Sequence, residues 1–239
     1  GLSLVGSEMC IRDSCNGYQH NDSFPGSHPL AVGPLGYNGS KAAMELISKA
    51  DVVLALGTRL NPFSTLPGYG IDYWPKNATI IQVDMNPDRI GLTKKVTVGI
   101  CGDAKQVAQQ ILDKLSSDAG NSGRDDRKNL IHKTKSAWLQ TLAGLDHEED
   151  DPGTVWNKEA RERDKDRMSP RQAWRAIQDA LPKDAIISSD IGNNCAIGNA
   201  YPTFEKGRKY LAPGLFGPCG YGFPACLLYT SDAADDSQC

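Results

Sequence analysis

Two short stretches carry residue types that could do chemistry. Asp190 is followed by Ile191-Gly192-Asn193-Asn194, and farther on Leu215 to Pro224 reads LFGPCGYGFP, with Gly217, Cys219 and Gly220 at its centre. Asp190 ends Asp184 to Asp190, a run with strand character, so Ile191 to Asn194 forms the turn at a carboxyl end, where open α/β sheets hold their ligands. The second is a glycine-rich loop, and glycines serve tight turns more often than ligands. A ligand role and a plain turn role both stay open there on loop chemistry alone. The seven cysteines form no CxxC pair and have no matching histidine spacing, so neither a metal centre nor a disulfide framework is expected. Cys101 and Cys195 read as small buried apolar residues.

The elements that must position these bends alternate between strand and helix. Ser40 caps a helix with Ala43, Leu46, Ile47 and Ala50 on one face, and Val52 to Leu56 is an unbroken apolar run of the kind found in buried parallel strands. Strands are predicted again at Thr79 to Asp84 and Val96 to Ile100, with turn-rich sequence between. Asp103 and Gln106 start a helix lined by Val107, Ile111 and Leu115. Leu130 to Leu145 places Trp138 and Leu142 at helical spacing, for packing on the preceding domain. Ser169, Pro170 and Gln172 then occupy the N-cap, first-turn and capping-box positions of a helix with Ala173, Trp174, Ile177 and Leu181 on its buried stripe. The fold class is α/β: a doubly wound parallel sheet covered by helices, then the truncated start of a second α/β domain.

Bulk properties narrow the function classes. The chain has 239 residues, 39% hydrophobic and 23% charged, with a formal net charge of -3. That balance gives no basic field for nucleic acid, and no apolar run is long enough to span a membrane, so a cytoplasmic protein is expected. Gly1 to Ser14 and Cys226 to Cys239 carry no period leading into their neighbours and resemble translated sequencing-library adapters, so they are set aside as foreign. The expected organisation is 1–14 adapter-like, 15–145 Rossmann-like domain, 146–168 charged linker, 169–225 start of a second α/β domain and 226–239 adapter-like.

Specific strings then match a family. HNDSFPGSHP from His20, GPLGYNGSKAAM from Gly33, LGTRL from Leu56, GIDYWPK from Gly70 and VGICGDAK from Val98 run in register and in order. They resemble the middle of the sulfoacetaldehyde acetyltransferase family of thiamine-diphosphate-dependent enzymes, over about Cys15 to Ala225. Acetolactate synthases share the architecture and would differ in these strings.

The resemblance implies a three-domain enzyme that converts sulfoacetaldehyde and phosphate into acetyl phosphate and sulfite, with thiamine diphosphate and Mg2+ as cofactors. By the same resemblance the activating glutamate lies upstream and the magnesium-binding GDG motif downstream, so no catalytic or metal residue is named here. The chain by itself is expected to be an inactive fragment, poorly ordered from Leu211 to Cys239. Gly192, Asn193 and Asn194 would lie against the diphosphate, and Gly217, Cys219 and Gly220 beside the aminopyrimidine, Cys219 either propping the bent cofactor or serving as a turn residue. Gly57-Thr58-Arg59 and Asp84 fall where flavin-using relatives contact their dinucleotide. No GxGxxG accompanies them, so no flavin is expected, and Arg59 is read as an ion-pair or loop-tying residue. The implied partners are small molecules and further copies of the chain in a homo-oligomer. An acetolactate-synthase-like carboligase and a non-catalytic nucleotide-binding Rossmann-like module are the alternative readings.

Overall fold

The structure, a computed structural model, describes residues 13–115, 124–145, 166–207, 209–214 and 216–230. Among the described residues seven strands form three sheets through four pairings, all of them parallel. β1 (Ser14–Asn16) lies beside β2 (Ala31–Pro34). β3 (Val52–Leu56), β4 (Thr79–Asp84) and β5 (Val98–Cys101) follow in sequential order, and β6 (Ile187–Ser188) pairs with β7 (Tyr210–Leu211). Parallel neighbours need long crossovers, and the helices sit in or between them. They are α1 (Lys41–Ile47), α2 (Pro62–Thr65), α3 (Ala104–Lys114), α4 (Arg124–Leu145), α5 (Pro170–Ala180), α6 (Asn193–Gly198) and α7 (Gly222–Thr230). The expected α/β class holds.

Local sequence sets the helix starts. The Ser40 side chain accepts from the Ala43 amide at 3.2 Å, and Asp103 accepts from the Gln106 amide at 2.9 Å. Ser169 and Gln172 form the reciprocal capping box, with bonds of 2.8 and 3.1 Å. β3 and β4 start and stop where the apolar runs do, and β5 begins at Val98, two residues later than predicted. Leu211 to Thr230, expected to lack order, contributes to β7 and all of α7, because β7 has β6 as a partner. Residues 231–239 and most of the charged 146–168 segment lie outside the described residues.

Three expectations are corrected. Val52 to Leu56 is not a fully buried strand: Val52 is 53% exposed, since β3 pairs with β4 alone and forms an edge. Cys101 is exposed at the end of the edge strand β5. The predicted strand over 184–190 shortens to two residues, because its partner β7 offers only two.

α4 joins the core clusters. Ile131 enters the cluster of Val32 from β2, Leu30 and Leu35 on either side of that strand, and Met44, Leu46 and Ile47 from α1. About two and three turns farther on, Trp138 and Leu142 pack with Ala42 of α1, Trp174 of α5 and Tyr201. Arg127 near the start of the same helix pairs with Asp13. The helix thus packs on the N-terminal unit, as predicted, and also reaches the C-terminal one.

A polar seam runs alongside. Asn199 is fully buried, its Oδ1 accepting from the Gln19 amide at 3.0 Å and its Nδ2 donating to the Tyr37 and Leu35 carbonyls at 3.1 and 3.4 Å. Asn21 Nδ2 answers by donating to the carbonyls of Asn199 and Pro202, and Asp22 accepts from the Lys209 amide. Gln19 holds a left-handed φ of 59°, unusual for a side-chain-bearing residue.

Asn199→Ala strands a buried donor and a buried acceptor, each costing about 1–3 kcal/mol, so urea denaturation is expected to read a loss of about 3 kcal/mol. Gly198 offers a second check, because a Cβ there would sit 2.4 Å from the Trp174 indole. An exposed helical glycine gains stability on change to alanine, but this overpacking outweighs that gain, and Gly198→Ala is expected to lose about 2 kcal/mol. A raised melting temperature for that variant would contradict the packing of Trp174.

Candidate functional site

The site begins where β6 ends. Ser189 is buried and its amide bonds to the Leu211 carbonyl at 2.8 Å, so the chain is held until Asp190 and then turns. Gly192 makes that turn with φ 100° and ψ -151°, a conformation closed to other residues. Its missing side chain would have met nothing within 4 Å, so the glycine serves backbone geometry and leaves open space above it. Gly192 is the N-cap of α6 and supplies no side-chain acceptor, so Asn193 and Asn194 open the helix without a side-chain cap. Both asparagines are exposed, and the Asn194 carbonyl accepts from the Trp174 indole N–H at 3.1 Å. That bond ties the turn to α5.

The second bend follows β7. The Gly217 amide donates to the Pro213 carbonyl at 3.0 Å, and Gly217 and Gly220 both have positive φ, 56° and 84°. Cys219 is exposed, Gly220 also has open space at its absent Cβ, and Phe216 is 89% exposed. Leu215 lies outside the described residues.

The structure brings the two bends together. A Cβ on Gly217 would come within 3.2 Å of the Ile191 side chain, and the Ser188 hydroxyl donates to the Gly222 carbonyl at 2.7 Å. Between them, Asp190 accepts from its neighbour Ile191 at 2.8 Å and from Gly220 at 2.9 Å through the other oxygen. These backbone donors, Ile191 first and then Gly220, Tyr221 and Gly222, hold the carboxyl below its ordinary range against the opposing effect of desolvation. Sequence reasoning used Asp190 only as the end of a strand. The signal that could have singled it out is an acid placed directly before an Ile-Gly-Asn-Asn turn.

Behind the turn lies a buried cluster unsuited to proton transfer. Cys195 is fully buried, as expected, with its sulfur 3.7 Å from the Tyr18 hydroxyl. Desolvation pushes up the Cys195 thiol and the Tyr18 and Tyr210 phenols, so all three stay neutral at physiological pH.

The candidates in the central domain serve local structure. Gly57 has φ 62°, the Thr58 hydroxyl accepts from the Leu60 amide at 3.1 Å, and Gln82 donates to the Thr58 carbonyl at 3.0 Å. Asp84 accepts from the Asn86 amide at 2.8 Å. Arg59, read as an ion-pair or loop-tying residue, has no carboxylate within 4 Å among the described residues, and the acids Asp84 and Asp103 at neighbouring strand ends are used by their own turns. No group of three or more His, Cys, Asp or Glu side chains gathers among the described residues.

Comparison with known proteins follows this geometry. Residues 14–111 match the family described as "Thiamine pyrophosphate enzyme, central domain". The chain is 80% identical over 225 residues to a probable sulfoacetaldehyde acetyltransferase of Rhizobium meliloti, which covers 94% of this chain and 38% of that protein. It is 78% identical over 213 residues to the sulfoacetaldehyde acetyltransferase of Roseovarius nubinhibens, covering 89% and 35%. Identity to the acetolactate synthase isozyme 3 large subunit of Escherichia coli is 27% over 207 residues, covering 86% and 32%. The chain thus spans little more than a third of the length of these curated relatives. This chain has a parallel α/β architecture, resembles the central domain of thiamine pyrophosphate enzymes over residues 14–111, and is similar over most of its length to sulfoacetaldehyde acetyltransferases.

Proposed function

We propose that this chain serves a thiamine-diphosphate-dependent acyltransferase that turns sulfoacetaldehyde and phosphate into acetyl phosphate and sulfite. The observation that carries the reading is the identity of 80% and 78% to relatives named for that activity, against 27% to an acetolactate synthase. The carboligase alternative is correspondingly weaker, and no feature favours a non-catalytic nucleotide module.

The described bends suit the cofactor in the chemistry of their donors. Gly192 and Gly220 have open space where side chains would stand, and Asn193 and Asn194 begin α6 exposed, so backbone and amide N–H groups are available to an anion such as a diphosphate. Bound thiamine diphosphate supplies the nucleophilic carbon that an aldehyde substrate needs. On this reading Gly192, Asn193 and Asn194 hold the diphosphate, while Gly217, Cys219 and Gly220 lie along the aminopyrimidine. Cys219 acts there by contact, as a polarizable prop. Mg2+ completes the cofactor, and no described residue is assigned to it.

The reading extends to organisation and location. It takes 15–145 as the central domain, 146–168 as a linker and 169–225 as the start of the cofactor domain, with a homo-oligomer as the working assembly. The flanking segments 1–14 and 226–239 are read as foreign, although α7 runs from Gly222 through Cys226 without a break. Small molecules are the partners, and nucleic acid and membranes are not. A cytoplasmic location is proposed, and no helix among the described residues is long and apolar enough to cross a membrane.

Product analysis on a longer protein containing this chain is expected to yield acetyl phosphate and sulfite from sulfoacetaldehyde and phosphate; formation of a carbon–carbon bonded acid instead would favour the carboligase. Alkylation offers a test on the chain itself. Burial pushes the Cys15 thiol up to about 12 and raises Cys195, so at about pH 8 iodoacetamide should spare both and label the exposed Cys101 and Cys219. Saturating thiamine diphosphate is expected to slow labelling of Cys219 by about tenfold and to leave Cys101 unchanged. Equal labelling of Cys219 with and without the cofactor would remove it from the site.

A further inference from the structure

The two bends are joined by a side chain that belongs to neither. Asp190 ends β6, and its carboxylate reaches 30 residues along the chain: Oδ2 accepts from the Gly220 amide at 2.9 Å and Oδ1 from the same amide at 3.1 Å. Oδ1 also accepts from Ile191 at 2.8 Å. A carboxylate that only stabilised its own turn would need the Ile191 bond and nothing more. The contact with Gly220 does a different job, since it decides where the second loop lies.

Close approach of the two loops is built into the residues around that contact. A Cβ on Gly222 would lie 3.1 Å from the Asp190 backbone nitrogen, and one on Gly217 would press on the Ile191 side chain. The Ser188 hydroxyl bonds to the Gly222 carbonyl from the same strand end. The backbone donors hold the Asp190 carboxylate in its charged form, with its lone pairs facing the amides of the chain itself. The open amide side of Gly192 to Asn194 is then left to a ligand.

We propose that Asp190 is a positioning residue that docks the 217–222 bend onto the 191–194 turn, so that both present one preformed surface to thiamine diphosphate. This rests on the cofactor reading above, but the docking itself is measurable without any cofactor.

Nuclear magnetic resonance on the 239-residue chain tests it. In the unaltered protein, a scalar coupling across the hydrogen bond between the Gly220 amide nitrogen and the Asp190 carboxyl carbon is expected, and its absence would overturn the proposal without recourse to a variant. Asp190→Asn keeps Oδ1 for Ile191 but replaces the nearer acceptor of Gly220, Oδ2, with a donor that repels its amide, and Asp190→Ala removes both partners' bonds. In each, exchange of the Gly220 amide should accelerate by about tenfold or more while Ile81 and Val83 in β4 keep their protection. Asp190→Glu, longer by one methylene, should recover part of the protection. Equal protection of Gly220 in the alanine variant and the original chain would sink the idea. Titration with millimolar thiamine diphosphate then separates the two readings. Amides 192–194 and 217–222 should shift together in the original chain, and only 192–194 should respond once Asp190 is alanine. Identical responses of 217–222 in both proteins would refute positioning. No shift anywhere in the original chain would refute the cofactor reading, with the coupling and exchange data still deciding whether Asp190 docks the loop.

Discussion

A single buried amide governs how the halves of this chain meet. Asn199 has no exposed surface, so its donor and acceptor must find partners inside the protein, and all of those partners are backbone atoms of residues 19 to 37. Apolar contacts can slide by a fraction of a turn at little cost, whereas an amide satisfied on both sides accepts one arrangement. Gln19 is held in a left-handed conformation next to that bond, and Asp22 extends the seam to the start of β7. The orientation of β6 and β7, and hence of the bends beyond them, is inherited from it.

The apolar packing is arranged around the same seam. Trp174 rests on Gly198 and sends its N–H to the Asn194 carbonyl, so one indole fixes both ends of α6 relative to α5. Trp138 and Leu142 of α4 press on that indole's cluster from the other side. α4 thereby carries the N-terminal core, through Ile131, into the packing behind the candidate site. The glycine bends are exposed, but what lies beneath them is closely packed.

Much of this was legible in the residues, and the remainder fails for reasons of the same kind. The N-caps at Ser40 and Asp103, the capping box at Ser169 and the runs at β3 and β4 depend on neighbours within a few positions, which a sequence displays directly. The exposure of Val52 and Cys101 depends on which strand lies beside them, and an apolar run does not say whether it has one neighbour or two. The type of Arg59 favours an ion pair or a loop tie, and an ion pair requires a carboxylate that is not already used by its own turn, as Asp84 is. The two glycine bends were recognisable one by one. Their adjacency was not, since it depends on an acid whose partner lies 30 residues away.

The edge at β3 bears on how this chain behaves in a tube. Asp51 and Gly57 bond toward β4, and parallel ladders alternate, so the amides and carbonyls of Val52, Leu54 and Leu56 face outward. An uncharged row of backbone groups with no strand beside it among the described residues is a template on which a further strand can grow. Whatever its enzymology, a concentrated solution of this polypeptide carries its own seed for self-association, set in the part of the sheet where the sequence is most apolar.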